Sequence, residues 1–345
     1  MKALVTGASG FLGGHLVEGC LAAGDKVTAL VRQSSDLRHL RTLPEVELAT
    51  AELCDVDGLL EATRGVDVIY HSAARVAGHG SRAQFWAENV LGTQRLLAAA
   101  RRNGVSRFVF VSSPSALMDT RAGDLVDIDE SQPYPRRYYN RYSETKAAAE
   151  QRVLAANSST LVTCALRPRA IWGPRDRRGF MPKLVGKMRA GRLPDLSGGR
   201  TTFASMCHCD NAVHACLLAA RSDRVGGKAY FVTDAERTDV WGLLRRLAEM
   251  FGGRPPSRSI PPRAVDVLAG AVELVWRIPL LGNKYPPPLT RYELTLLTRS
   301  STYAIDAAER DFGYRPRVDQ ETGLIRLAEW IQRAGGVEAY AGGTW

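Results

Sequence analysis

Apolar residues in the first half of the chain fall in short, nearly unbroken runs: ALV at 3–5, VTAL at 27–30, DVIY at 67–70 and RFVFV at 107–111. A strand that is apolar without alternation has both faces covered, as in a parallel sheet between two helix layers. Between these runs apolar positions recur at helical spacing. The pattern predicts strands over 3–6, 26–31, 66–71, 106–112 and 161–166. It predicts helices over 11–23, around 37–43, over 56–63 and 84–103, and one opening around Tyr142. Regular strand–helix alternation makes the fold α/β, a doubly wound parallel sheet assigned to residues 1–174. After about residue 175 the rhythm loosens, with Pro- and Gly-rich connectors at 198–199, 252–256 and 286–288. Residues 175–345 are expected to form a smaller, mainly helical region that shapes a substrate pocket and is partly interleaved with the first.

The stretch 264–281 is strongly apolar, yet Asp266, Glu273 and Arg277 share one helical face and Pro279 interrupts it, which excludes a membrane span. It reads as a buried or interface-facing helix, or else as an interfacial membrane contact or a lid over a hydrophobic substrate. With 345 residues, 45% of them hydrophobic, the chain can bury a large core. The net charge of +10 points to an acidic partner such as a phosphorylated small molecule. Its basic residues are spread out and interleaved with acids, without a polybasic stripe, which argues against nucleic acid. The opening MKALVTGASG carries no export signal and the six cysteines are scattered. A cytoplasmic protein with free thiols is therefore expected, with any membrane association peripheral.

Chemistry concentrates in two places. The first is Thr6-Gly7-Ala8-Ser9-Gly10-Phe11-Leu12-Gly13, directly after the first strand and opening the first helix. Gly7, Gly10 and Gly13 permit a tight turn, and the backbone through Ser9, Phe11 and Leu12 can approach a pyrophosphate. Arg32 ends the second strand, followed by Gln33, Ser34 and Ser35, where a site for NAD often places an acid. A guanidinium with nearby hydroxyls suits a 2′-phosphate, which favours NADPH (NADP), although an arginine stacked on adenine would accept NAD as well. Glu52, with Leu53 beside it, follows the third short strand; its carboxylate can accept from an adenine amine, or is a solvated loop acid.

The second place joins two segments. Val111-Ser112-Ser113-Pro114-Ser115 brings hydroxyls to the carboxyl edge of the sheet, and YSETKAAAE puts Tyr142 and Lys146 one helical turn apart. That spacing alone is common. Facing one cleft, however, Ser113 would hold a substrate oxygen and Tyr142 would exchange its proton. Lys146 would lower the phenol pKa by Coulomb attraction while binding ribose. Ser112 would then border the cofactor and Ser115 the substrate.

TGASGFLG, YHSAA, Asn89 in NVLGT, SSPS, YSETK, LRPRAIWGPRD and RDFGYRP together resemble the extended short-chain dehydrogenase/reductase superfamily, over essentially the whole chain. The C-terminal half, with GKAYFVTD and LTRYELTLLTRSSTYAIDAAERDFGYRP, is similar to the 3β-hydroxysteroid and sterol-4α-carboxylate dehydrogenase branch, and in look to bacterial 2-alkyl-3-ketoalkanoate reductases of olefin synthesis. The resemblance implies a Rossmann-type fold and a catalytic set of Ser113, Tyr142 and Lys146. It also places Ala73 and Ala74 along the adenosine, Pro168 and Ile171 at the nicotinamide carboxamide, and Asn89 in a structural or proton-relay role. A homodimer paired through the helices after Gln84 and Tyr142 follows from the same resemblance; a contact with a pathway enzyme is a further expectation.

Ala170 stands where nucleotide-sugar epimerases and dehydratases carry an asparagine, which argues against a nucleotide sugar. Trp172 and the apolar stretch point to a greasy substrate, and Arg169 or Arg175 would meet a carboxylate or brace a loop. Cys207-His208-Cys209-Asp210 with His214 and Cys216 resembles a ligand cluster, but strand and helix geometry spreads these side chains over different faces, so no metal is expected. The expected activity is NADPH-dependent interconversion of ketone and secondary alcohol on a hydrophobic small molecule, a 2-alkyl-3-keto acid or a 3-keto/3β-hydroxy steroid, with reduction favoured. Alternatives are an NAD-dependent 3β-hydroxysteroid or sterol-carboxylate dehydrogenase, a nucleotide-sugar epimerase, and a non-catalytic dinucleotide-binding sensor.

Overall fold

The computed structural model describes residues 1–76, 80–120, 123–177, 179–234, 236–257, 260, 267, 275 and 291–342. β1 (Lys2–Thr6) leads into α1 (Phe11–Ala22), β2 (Lys26–Val31), a 3₁₀ turn at Leu40–Thr42, β3 (Val46–Thr50), α2 (Val56–Ala62) and β4 (Val68–His71). Then α3 (Arg82–Phe85), a π-helical segment at Trp86–Leu91 and α4 (Gly92–Arg102) form one continuous helical run, and a short turn leads to β5 (Arg107–Val111). They are followed by β6 (Leu125–Ile128), α5 (Arg141–Ala155), β7 (Val162–Pro168), β8 (Ile171–Trp172), α6 (Phe180–Arg189), β9 (Phe203–Ser205) and β10 (Cys207–His208). The chain ends with α7 (Cys209–Arg221), β11 (Lys228–Val232), β12 (Arg237–Asp239), α8 (Val240–Met250), α9 (Arg291–Thr298), β13 (Ser301–Tyr303), α10 (Asp306–Phe312), α11 (Gln320–Arg333) and α12 (Gly336–Gly342).

The main sheet has seven parallel strands in the order β3-β2-β1-β4-β5-β7-β11. From β1 the chain winds outward to β3, then restarts at β4 and winds the other way. The carboxyl ends of β1 and β4 therefore flank a switch point, where ligands of such sheets sit. On one face Leu16, Val17 and Cys20 of α1 pack with Val213, Cys216 and Ala219 of α7. On the other, Leu59, Leu96, Ala100, Ala149 and Val153 from α2, α4 and α5 close the layer. Each buried Leu or Val among these contributes roughly 1.5–3 kcal/mol, which explains why the strand runs are apolar without alternation.

The last sheet strand, β11, comes from beyond residue 175. A second core, including Trp172, Val185, Trp241, Leu244, Leu324 and Ile331, holds the C-terminal half together. Beside it lies a small sheet in the order β12-β9-β13-β6. Two expected helices differ. The one around 37–43 is only the 3₁₀ turn, cut short before Pro44. The one over 84–103 begins at Arg82, where Ser81 and Gln84 form a reciprocal cap, and switches through the π segment. Apart from Val267 and Val275, the apolar stretch 264–281 lies outside the described residues. No described helix is long and apolar enough to cross a membrane.

Candidate active site

The glycine turn is closed on all sides by backbone. Gly7 has φ +67°, and a Cβ there would come within 2.9 Å of the Ala73 main chain. A Cβ on Gly13 would lie 2.0 Å from the Gly7 carbonyl oxygen. Only glycine lets β1, the turn and α1 come this close. The Gly10 amide donates to Gly7 O at 2.9 Å, and α1 has no side-chain cap. The amides of its first turn thus face the switch point with their partial positive charge. Ser9 is exposed above the turn, Phe11 is half-buried, and Leu12 turns its side chain into the core.

At the end of β2, Arg32, Gln33, Ser35, Arg38, Arg41 and Thr50 line a cleft of about 420 Å³. Ser35 Oγ accepts from the Arg32 amide at 2.9 Å. Arg38 grips Asp36 through Nε and Nη2 along one guanidinium edge, which holds that carboxyl well below its usual range. Glu52 is exposed just past β3, and Leu53 packs under Gly92 of α4.

Behind the turn a hydrogen-bond chain runs in one direction. The Ala73 amide donates to Thr6 Oγ1 (3.1 Å), and the Thr6 hydroxyl donates to His71 Nδ1 (2.7 Å). The His71 Nε2–H then donates to Thr93 Oγ1 (2.9 Å), whose hydroxyl donates to the Asn89 carbonyl (2.7 Å). Burial, helped by the Lys146 charge, lowers the His71 pKa to about 3, which keeps the ring neutral as this chain requires. The Asn89 side chain accepts from the Arg75 amide (2.7 Å) and donates to the Arg75 carbonyl and to Thr145 Oγ1 (3.0 Å). It clamps the loop after β4 to α5. Ala74 follows Ala73 in that loop, half-buried.

Ser113 caps the 3₁₀ turn Pro114–Leu117, accepting from the Ser115 amide at 3.2 Å. Across from it Asn140 caps α5, accepting from the Ser143 amide at 2.8 Å, which orients the turn carrying Tyr142 and Lys146. Burial pushes the Tyr142 phenol well above its ordinary pKa of 10.0, the Tyr292 phenol adds to this, and the Ser113 hydroxyl opposes it. Lys146 Nζ donates to Val111 O at 2.5 Å and lies over the Phe110 ring at 4.4 Å. Burial lowers the Lys146 pKa to about 7, against the pull of Glu150. In this structure the amine is engaged by a carbonyl, burial disfavours its own charge, and desolvation governs the tyrosine. Ser112 Oγ is buried without a hydrogen-bond partner among the described residues.

The residues assigned to substrate separate into distinct roles. Ser115 is buried against the Tyr292 phenol. Arg169 is buried and donates to the Ser205 carbonyl (2.7 Å) and to Ser301 Oγ (2.5 Å). Trp172, read as a substrate residue, is a core residue: its indole donates to Asp234 (3.1 Å) and stands edge-on to His208. Arg175 latches its loop to α1 through a bidentate pair with Glu18 and so is no carboxylate receptor. Pro168 ends β7, Ile171 pairs with Cys207, and Ala170 between them has φ +46°, a left-handed turn that asparagine would accept more readily. Tyr292 was missed; it lies far along the chain in TRYELT, with no local signal, yet its ring lies 5.9 Å from that of Tyr139, its phenol reaches the Ser115 hydroxyl, and it acts electrostatically on Tyr142.

The Cys-His-Cys-Asp run straddles the junction of β10 and α7, and His214 lies apart against Tyr314. His15, Cys209 and Asp210 bring ligand atoms within 4.8 Å of one another, but Asp210 already accepts from Arg326 and His15 Nε2 meets the Pro174 carbonyl.

A parallel sheet with a glycine turn at its switch point, faced by a helix presenting a protonated phenol and a lysine, defines an NAD(P)-dependent oxidoreductase of the short-chain dehydrogenase/reductase class acting on a CH–OH group. The chain belongs to the 3-beta hydroxysteroid dehydrogenase/isomerase family, whose sequence profile matches residues 4–262. It is 36% identical over 332 residues to the 2-alkyl-3-oxoalkanoate reductase of Stenotrophomonas maltophilia (strain K279a), covering 95% of this chain and 98% of the relative. A ketoreductase of Stigmatella aurantiaca acting on a 4-hydroxy-2-methyl-3-oxo-4-farnesyl-3,4-dihydroquinoline-1-oxide is 37% identical, covering 95% and 96%. Among solved structures, MoeE5 in complex with UDP-glucose and NAD superposes with a TM-score of 0.71 at 25% identity, covering 97% of this chain and 99% of that one.

Proposed function

We propose that the protein reduces a ketone on a hydrophobic substrate to a secondary alcohol using NADPH, the substrate being a 2-alkyl-3-keto acid or a steroid-like ketone. The observation that carries the chemistry is the Tyr142 phenol set against the Ser113 hydroxyl at the carboxyl edge of the sheet. NADPH, when bound, supplies the hydride. The first-turn amides of α1 and the glycine turn fit a pyrophosphate, since the cradle leaves no room for a Cβ at Gly13. Arg32 and Ser35, with Arg41 across the cleft, would take the 2′-phosphate. Ser113 donates to the ketone oxygen and polarises it. Tyr142 releases its proton to that oxygen as charge builds there, and Lys146, reprotonated near neutral pH, steadies the phenolate left behind. The names of the two curated relatives, a 3-oxoalkanoate reductase and a ketoreductase, support reduction.

The test compares NADPH and NADH oxidation with 2-alkyl-3-keto acids and 3-ketosteroids, for the wild type and for Tyr142→Phe. The variant is expected to lose about 10²–10⁴-fold in kcat while binding NADPH as before. Unchanged turnover would overturn the mechanism, and a preference for NADH would remove the role given to Arg32.

A further inference from the structure

The segment that leaves β7 runs from the edge of the sheet to α1. It starts beside β5, where the Ser112 amide donates to the Leu166 carbonyl at 2.6 Å. It is tied to α1 at two points: His15 Nε2–H donates to the Pro174 carbonyl at 2.9 Å, and Arg175 holds both carboxylate oxygens of Glu18. His15 lies one turn behind Phe11 and stands edge-on to it, so the tie falls directly behind the turn that fits a pyrophosphate. Along the way the backbone takes left-handed conformations at Ala170 (φ +46°), Gly173 (φ +139°) and Arg175 (φ +69°). Two of these are not glycine, and such residues keep that conformation only while the contacts around them enforce it.

One of those contacts is lost with a single proton. Arg175 Nη1, 2.6 Å from Glu18 Oε1, also lies 3.0 Å from His39 Nε2. A guanidinium only donates, so this nitrogen of His39 is unprotonated and the ring neutral. Protonation removes the acceptor and sets an imidazolium against Arg175. The new cation also competes for Glu18 Oε1, 3.4 Å from the same ring nitrogen. The charges around His39 are Arg175 and Arg177 from the segment, Glu18 from α1, and Arg38 and Arg41 beside it in its own loop, where they line the 420 Å³ cleft. Past Glu18, His15 Nδ1 lies 3.9 Å from Oε2 and 3.7 Å from Asp210. Burial lowers the His15 pKa to about 4, and Arg175 holds Glu18 below 4.5 against its own burial, so neither titrates near neutrality. We propose that Arg175 is a positioning residue for the bound dinucleotide and that His39 is its proton-operated release: the segment is fastened to α1 while His39 is neutral and loosens when it is protonated. Burial and Arg175 hold the His39 pKa below 6.5, with Glu18 opposing. The fastened form thus binds this proton less well than the loosened one, so fastening is complete above pH 6.5 and fades as pH falls below it. The device acts on the cofactor and is independent of which ketone is reduced.

The test measures NADH affinity by calorimetry, and hydrogen exchange of the amides in 170–177 corrected for the intrinsic rate, at pH 5.8 and pH 8. NADH is the probe because it lacks the 2′-phosphate that a charged His39 would attract directly. The His39 and Glu18 side chains are 35% and 37% exposed, so the proton has open access and the effect is modest. His39→Gln, whose side-chain carbonyl accepts from Arg175 without titrating, should match the wild type at pH 8. At pH 5.8 it should bind NADH about threefold more tightly than the wild type and exchange the segment about threefold more slowly. The difference between the two proteins is the readout, because Lys146 titrates in the same interval in both. Glu18→Gln should exchange the segment faster and bind NADH more weakly than the wild type already at pH 8. Identical pH responses of the wild type and His39→Gln, or a Glu18→Gln variant indistinguishable from the wild type at pH 8, would overturn the release. Exchange that responds while NADH affinity ignores both substitutions would overturn the positioning role of Arg175.

Discussion

Lys146 offers a sharp test because its catalytic and energetic roles pull in opposite directions. Burial lowers its pKa from 10.5 to about 7, and at 1.36 kcal/mol per unit this amounts to a penalty of about 5 kcal/mol for the charged form. Between those pH values the unfolded chain holds a proton that the folded protein has shed, so this term makes stability rise with pH. The penalty is present in full below pH 7 and has gone by about pH 10.5. Lys146→Met removes it and keeps the volume. The substitution leaves the Val111 carbonyl without its donor, at a cost of about 1–3 kcal/mol. The variant should therefore be more stable than the wild type at pH 6 by about 2–4 kcal/mol, with the gap closing toward pH 10, while turnover is lost. Urea unfolding of both proteins at pH 6, 7.5 and 9 measures this. The difference between the two is the readout, because thiols raised by burial, such as Cys164, titrate with the opposite sign above about pH 9 and overlap the upper end of that window. Parallel pH curves for the two proteins would refute the reasoning.

Two further outcomes follow from packing. Gly13→Ala puts a methyl 2.0 Å from the Gly7 carbonyl oxygen; the turn must move, and NADPH affinity measured by calorimetry should drop at least about tenfold, whereas wild-type affinity would contradict the cradle. Trp172→Phe removes the indole donor to Asp234 and leaves a gap in the second core. It should cost about 2–4 kcal/mol in denaturant unfolding with KM unchanged, and a raised KM without lost stability would return Trp172 to the substrate pocket.

The parts of this molecule readable from sequence are those whose causes are local. Strand runs between covered faces, a glycine turn between strand and helix, and a tyrosine and lysine one turn apart each depend on neighbours within a few residues. The π-helical segment carrying Asn89 was not legible, because WAENVL has ordinary helical periodicity and the wider turn goes with an amide clamped to Arg75 and Thr145. Arg169 and Arg175 belong to one motif and look alike there. What sorts them is Glu18, 157 positions before Arg175, and the serines of two short strands. Trp172 suggested a greasy pocket because large aromatics serve cores and ligands equally well. Tyr292 had no pattern to betray it; the fold alone carries it to Tyr139 and Ser115.

The pairing of β11 with β7 has a bearing on how such an enzyme can diversify. Lys228 to Val232 match Cys164 to Pro168 residue for residue along the outer edge of the sheet. A chain cut near residue 174 would leave that edge bare, an invitation to pair with another molecule. The cofactor-binding half is thus no interchangeable cassette onto which a new substrate half can be spliced. Inheritance of a new specificity has to proceed by altering loops and pocket residues in place, with both halves of the gene travelling together.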